Sequence, residues 1–160
     1  MNALAQGLVE GTDEHYLTAR IGQVAYLGEK LHAAGIPLQR PYGGHAIFIE
    51  AVRLLSFVPR EEFVAQTLVV ELYKEAGVRG VEIGTLMADR DPVTRENRYP
   101  AREFLRLAIP RRVYTNNHMD VVAAGLMNIF DRRNSIRRGY RITREAPIMR
   151  HFTVELEPAE

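Results

Sequence analysis

LRLAIPRRVYTNNHMDVVAAG, Leu105 to Gly125, decides how the rest of the chain is read. Its opening residues alternate, with Leu105, Leu107 and Ile109 set against Arg106 and Ala108. That is the two-residue period of a strand with one apolar face and one guanidinium on the other. Pro110 ends the strand, because it brings no N–H to a ladder. Thr115 then stands as an N-cap, and Met119, Val122, Leu126 and Ile129 recur at the spacing of one helical face. The spacing predicts a strand that presents one arginine and a helix that anchors this strand.

Outward from that unit, the residues from Thr12, with Asp13 and Glu14 in the first turn, predict a long helix ending at Gly35. Leu17, Ile21, Val24, Leu27 and Leu31 form its buried stripe. Pro37 and Pro41 stop any continuation. Gly44 to Glu50 reads as a strand, with His45, Ile47 and Ile49 on one face and Ala46 and Phe48 on the other; His45 is read as structural. Pro59 opens a second helix whose Glu61 and Glu62 suit its N-terminus and whose natural end is Gly77. A short strand, Val78 to Ile83, follows, and the polar stretch Met87 to Arg102, with Pro92, Asn97 and Pro100, reads as a solvent loop. Strands at Tyr140 to Thr143 and Arg150 to Leu156 complete the chain. This order predicts an α+β domain, a mostly antiparallel sheet with helices packed on one face.

At 160 residues the chain is the size of one domain, and 46% hydrophobic residues supply a core. No apolar run approaches the roughly 20 residues needed to span a bilayer, and Glu10, Asp13 and Glu14 near the start do not suit a secretory signal. A cytoplasmic protein is expected, with no membrane partner, and the absence of cysteine agrees with that compartment. The net charge of +1 gives no field to gather nucleic acid. The arginines between Arg132 and Arg144 carry no interleaved aromatic platform, so no nucleic-acid partner is expected. His15, His32 and His118 lack a second ligand at metal spacing, so no metal is assigned.

Four segments recur together in one known family: YGGHAIFIEA (Tyr42 to Ala51), FVAQTLVVELYKEAGVRGVEIG (Phe63 to Gly84), the Leu105 to Gly125 stretch and MRHFTVEL (Met149 to Leu156). In them the chain resembles the C-terminal part of tryptophanase, a pyridoxal-phosphate-dependent β-eliminating lyase whose sister is tyrosine phenol-lyase. The resemblance implies the small C-terminal domain of a fold-type-I pyridoxal-phosphate enzyme, one domain over residues 1–160. It also implies a separate large cofactor-binding domain, in the same or another chain, as partner, and a homo-oligomeric assembly. The parent reaction would be cleavage of L-tryptophan to indole, pyruvate and ammonia. Tyrosine phenol-lyase-like specificity is the first alternative. A stand-alone, non-catalytic interaction module is the second.

The resemblance also implies site residues. Arg106, in the segment matching R-L-[TA]-I-P, would grip the α-carboxylate of the amino-acid substrate, for which a planar guanidinium is suited by its paired N–H groups. His151, in RHFT, and Ile83, in VEIG, would shape the indole side; the phenol-lyase places arginine at the latter position. If Arg150 to Leu156 is a strand, His151 points away from the core side taken by Phe152, Val154 and Leu156. No catalytic residue is assigned within the chain. Pyridoxal chemistry requires a Schiff-base lysine, and the only lysines, Lys30 and Lys74, lie outside any segment like the family's lysine motif. Pyridoxal phosphate is therefore expected in the complete enzyme but not covalently on this chain, which is expected to be inactive alone.

Overall fold

The computed structural model describes residues 1–110 and 112–160. Helices α1 (Asn2–Glu10) and α2 (Glu14–Ala33) lead into strand β1 (Ala46–Glu50), a single turn α3 (Ala51–Leu54) and helix α4 (Val64–Ala76). Strand β2 (Val81–Ile83), the short α5 (Thr85–Ala88), strand β3 (Phe104–Ala108) and helix α6 (Asn116–Arg132) follow. The chain closes with β4 (Tyr140–Arg144), the single turn α7 (Arg150–Thr153) and β5 (Glu155–Pro158).

β3 is the centre of a three-stranded sheet of order β1-β3-β2, antiparallel throughout. Its alternation does what the sequence pattern demands. Leu105 and Leu107, with β1's Ile47 and Ile49, enter one core with Val24, Leu27 and Leu31 of α2, Leu68 and Leu72 of α4, and Leu126 and Ile129 of α6. The three long helices thus cover one face, and the register sets Arg106 opposite Phe48 on one side and Val81 on the other. α6 begins as expected at Thr115, where the His118 ring nitrogen Nδ1 accepts the Thr115 backbone N–H at 3.1 Å to close a capping box. The chain is an α+β domain, its small sheets antiparallel.

Four expectations change. The long N-terminal helix is preceded by α1, and Asp13 caps α2 by accepting the Tyr16 N–H at 2.8 Å. Only the second half of the expected stripe is buried; Leu17 and Ile21 are 38% and 51% exposed, because α2 packs on β1 and α6 through its C-terminal turns. Gly28, in that packed half, gives up helix propensity for contact: a Cβ there would lie 2.7 Å from the Tyr42 ring.

The helix expected from Pro59 is broken. A 3-10 turn, Arg60–Glu62, ends in Phe63, whose left-handed backbone (φ 57°) turns its ring into the interior, 3% exposed, before α4 starts. The expected strand Arg150 to Leu156 is split. Met149 is left-handed, Arg150–Thr153 is helical, and only Glu155–Pro158 pairs with β4, in a separate two-stranded sheet. Arg150, 1% exposed, sits in this turn and donates to the carbonyls of Leu86 and Thr85. The Met87 to Arg102 segment is mostly loop. Asp91 folds it back by accepting the N–H groups of Val93 and Thr94, and Arg90 bridges Asn97.

Candidate functional site

β2 pairs with β3 alone, and its other edge borders a cleft of about 700 Å³. α4 forms one wall with Val69, Val70 and Tyr73. α5 adds Leu86 and Met87, and His151 and Phe152 stand at the α7 side. Gly80 lets this edge approach β3, since a Cβ there would sit 2.2 Å from Leu105 Cδ1. All three residues expected to contact substrate, Ile83, Arg106 and His151, line this one cleft. Sequence spacing alone would not have joined them.

Arg106 reaches the cleft from the sheet face opposite the core, its stem held between Phe48 and Val81. Its Nε is buried with no acceptor, and no ion pair to Arg106 is found among the described residues. A donor left in this state costs free energy in the fold, as do the buried and unpartnered Arg20 Nη1, Tyr42 hydroxyl and Glu103 Oε2. Ile83 stands opposite Phe104, one diagonal step from Arg106 on the same face. His151 is half-buried in α7, not on a strand as expected, and its ring lies 4.1 Å from that of Phe152. The helical turn replaces the alternation expected there, so His151 and the following Phe152 both border the cleft.

The cleft rim rests on buried charges that the sequence reading passed over. Glu82, 7% exposed, accepts the backbone N–H groups of Leu86 and Met87 at 3.1 and 3.0 Å and so caps α5. Glu103, 1% exposed, accepts from the Thr85 hydroxyl at 3.0 Å and pairs with Arg60 at 3.1 Å. The N-cap position of α5 is taken by Gly84, and Glu82 reaches the helix N–H groups from β2, so a local capping rule does not pick it out.

Burial pushes the Glu82 carboxyl above its usual 4.5, the amides of Met87 and Leu86 pull it down, and the charge of Glu103 adds to the rise. Folding thus favours the protonated form, so the contribution is present at low pH and fades as pH climbs from 4.5 through the raised value. Glu145, Asp91 and Asp120 are shifted down, and their stabilisation is lost on the acid side instead. Thermal unfolding across pH should therefore show Glu82→Gln abolishing the decline above 4.5 while keeping the acid-side loss; parallel curves for the two proteins would refute the assignment.

Neither lysine borders the cleft. Lys30 joins α2 to α6 through Asp120 and the Tyr26 hydroxyl, and Lys74 bonds the Tyr140 hydroxyl at 2.9 Å and pairs with Glu71. Their hydrogen bonds to Asp120 and Tyr140 respectively raise both pKa values, opposite to what a lysine poised for imine formation needs. The residues of this chain do not fit covalent attachment of pyridoxal phosphate. Among the described residues there is no cluster suited to a metal and no helix long and apolar enough to cross a membrane. Arg132, Arg138, Arg141 and Arg144 of the basic segment each pair with a glutamate.

The fold and the cleft together define an α+β domain that sets an arginine beside apolar side chains. A family model described as beta-eliminating lyase matches residues 5–125, and the chain belongs to that family. A probable beta-eliminating lyase of Trichomonas vaginalis is 65% identical over 98% of the chain. A tyrosine phenol-lyase of Intrasporangium calvum is 50% identical and a tryptophanase of Salinibacter ruber 46% identical, each over 99% of the chain. The chain spans about a third of the length of these relatives. Both sisters match at similar identity, so likeness alone does not select between them.

Proposed function

We propose that this chain is the carboxylate-gripping part of a tryptophanase-like carbon-carbon lyase. The observation that carries the reading is the meeting of Arg106, with its buried and unsatisfied Nε, and Ile83 and His151 in one cleft. Arg106 holds the α-carboxylate of the amino acid, and that contact fixes the substrate's orientation. Val69, Leu86, Ile83 and Phe152 offer an apolar wall to the aromatic side chain, with the His151 imidazole at its edge. Pyridoxal phosphate, held by a large domain that carries the lysine, supplies the electron sink for cleavage of L-tryptophan to indole, pyruvate and ammonia. The chain alone binds and orients; it is not expected to turn over. The assembled enzyme is proposed to be a cytoplasmic homo-oligomer.

Tyrosine phenol-lyase specificity is the second reading, favoured by the 50% identity to an enzyme of that name. Ile83 argues for indole, because an aliphatic side chain offers no hydrogen bond to a phenol. Two experiments test the reading. Calorimetry should show the 160-residue chain binding indole-3-propionate, which has the carboxylate and the ring but no amine to react. In a complete enzyme containing this sequence, Ile83→Arg should lower indole release by about tenfold or more, since an arginine without a partner is set against the apolar ring. Unchanged rates on both tryptophan and tyrosine would defeat the specificity argument.

A further inference from the structure

We propose that Arg150 is a positioning residue that fixes the aryl side of the cleft, and that Asn97 and Glu145 act on ligand affinity through it. The inference rests on the reading of the cleft given above.

Arg150 is a buried cation that touches no substrate. Its Nε donates to the Leu86 carbonyl at 3.2 Å and Nη2 to the Thr85 carbonyl at 2.7 Å, so two N–H groups hold the backbone of α5. Nη1 donates to Asn97 Oδ1 at 2.7 Å and Glu145 Oε2 at 3.4 Å, and Asp89 lies 3.6 Å from Nε. The guanidinium thereby ties the segment carrying α7 to α5 and to the loop after it. Leu86 and Met87 of α5 and His151 of α7 line the cleft, whereas Arg150, Asn97 and Glu145 are not among its lining residues. Glu82 holds the N–H groups of Leu86 and Met87 while Arg150 holds the carbonyls of Thr85 and Leu86, so both carbonyls and amides of this short helix are bonded to side chains outside it.

A four-residue helical turn has almost no stability of its own, and its place is set by what it bonds to. The same holds for α7, which begins at a left-handed Met149 and exposes Phe152 to 73%. Arg150 is the shared anchor of both. Loosening it moves one wall of the cleft while leaving Arg106 on its central strand undisturbed. The consequence is selective: affinity for the aromatic group falls, and affinity for a bare carboxylate does not.

Arg150→Met strands the buried carbonyls of Thr85 and Leu86 and stands to unfold the chain, so the test uses Asn97→Ala and Glu145→Gln, which remove one Arg150 partner each. Indole-3-propionate and propionate are titrated into the full chain, and hydrogen exchange is followed in the ligand-free proteins. Each variant should bind indole-3-propionate about five- to tenfold more weakly, with propionate affinity within about twofold of wild type. Amides of Leu86, Met87 and 151–154 should exchange faster, with those of β1 and β3 unchanged. A merely structural role would weaken both ligands together or neither. Binding by the wild type with unaltered affinities or exchange in the variants would overturn this inference alone. Failure of the wild type to bind indole-3-propionate would overturn it together with the reading of the cleft.

Discussion

Replacing Arg106 by methionine is expected to destroy carboxylate binding and to make the domain more stable. A guanidinium–carboxylate pair is a charge-assisted contact of about 1.5 to 3 kcal/mol, so its loss should lower affinity for indole-3-propionate roughly 10- to 100-fold. In the free protein the same group is a liability, because its Nε is buried without an acceptor. Methionine keeps the apolar stem between Phe48 and Val81 and removes the orphan donor, which should raise stability by about 1 kcal/mol. Arg106→Lys should not rescue binding fully, since an ammonium lacks the fork. Denaturant titration and calorimetry on the same samples check both signs. A variant that loses stability and keeps its ligand would show Arg106 to be a structural residue.

The neighbouring residue is expected to behave in the opposite way. Leu105 is 0% exposed, at the centre of the sheet and of the core that joins all three long helices. Leu105→Ala should cost about 3 to 4 kcal/mol through lost transfer energy and the cavity left behind. For a domain of this size that is a fall of about 10 °C in melting temperature, with a stability margin of only about 5 to 15 kcal/mol to draw on. Gly80 sharpens the test. Its missing Cβ would collide with Leu105 Cδ1 at 2.2 Å, so Gly80→Ala should destabilise the wild type and cost little in the Leu105→Ala background. Additive losses would mean that the β2 edge does not rest on Leu105.

Adjacent residues with opposite roles are what the alternation at Leu105 to Ile109 announces, and that part of the fold was legible because its cause is local. The same is true of α6, whose cap and apolar spacing sit within one stretch of chain. What was not legible depends on distant partners. Arg150 looks like one more charged residue beside His151, and the carbonyls it bonds, those of Thr85 and Leu86, lie far away in sequence. Phe63 breaks a helix that propensity would continue, because its ring is needed inside. Leu17 and Ile21 fit a helical stripe perfectly well, yet periodicity does not say how far along a helix the core extends.

The site divides in the same manner. Arg106 stands out on its strand as the lone charge among apolar neighbours, and the family resemblance gives Ile83 and His151 a role. Their convergence needs the pairing of β2 with β3 and the turn at α7, which no spacing encodes. Glu82 and Glu103 were overlooked because a glutamate in sequence reads as exposed, whereas here each is buried against hydrogen-bond donors.

The most direct measurement is nuclear magnetic resonance of the chain labelled at arginine side chains and methyl groups, titrated with indole-3-propionate. The Arg106 Nε–H signal should move downfield and exchange more slowly as the carboxylate supplies its missing acceptor, with contacts from the indole ring to the Ile83 methyl and the His151 ring. A ligand that leaves the Arg106 signal in place, or whose ring contacts lie away from Ile83 and His151, would contradict the account.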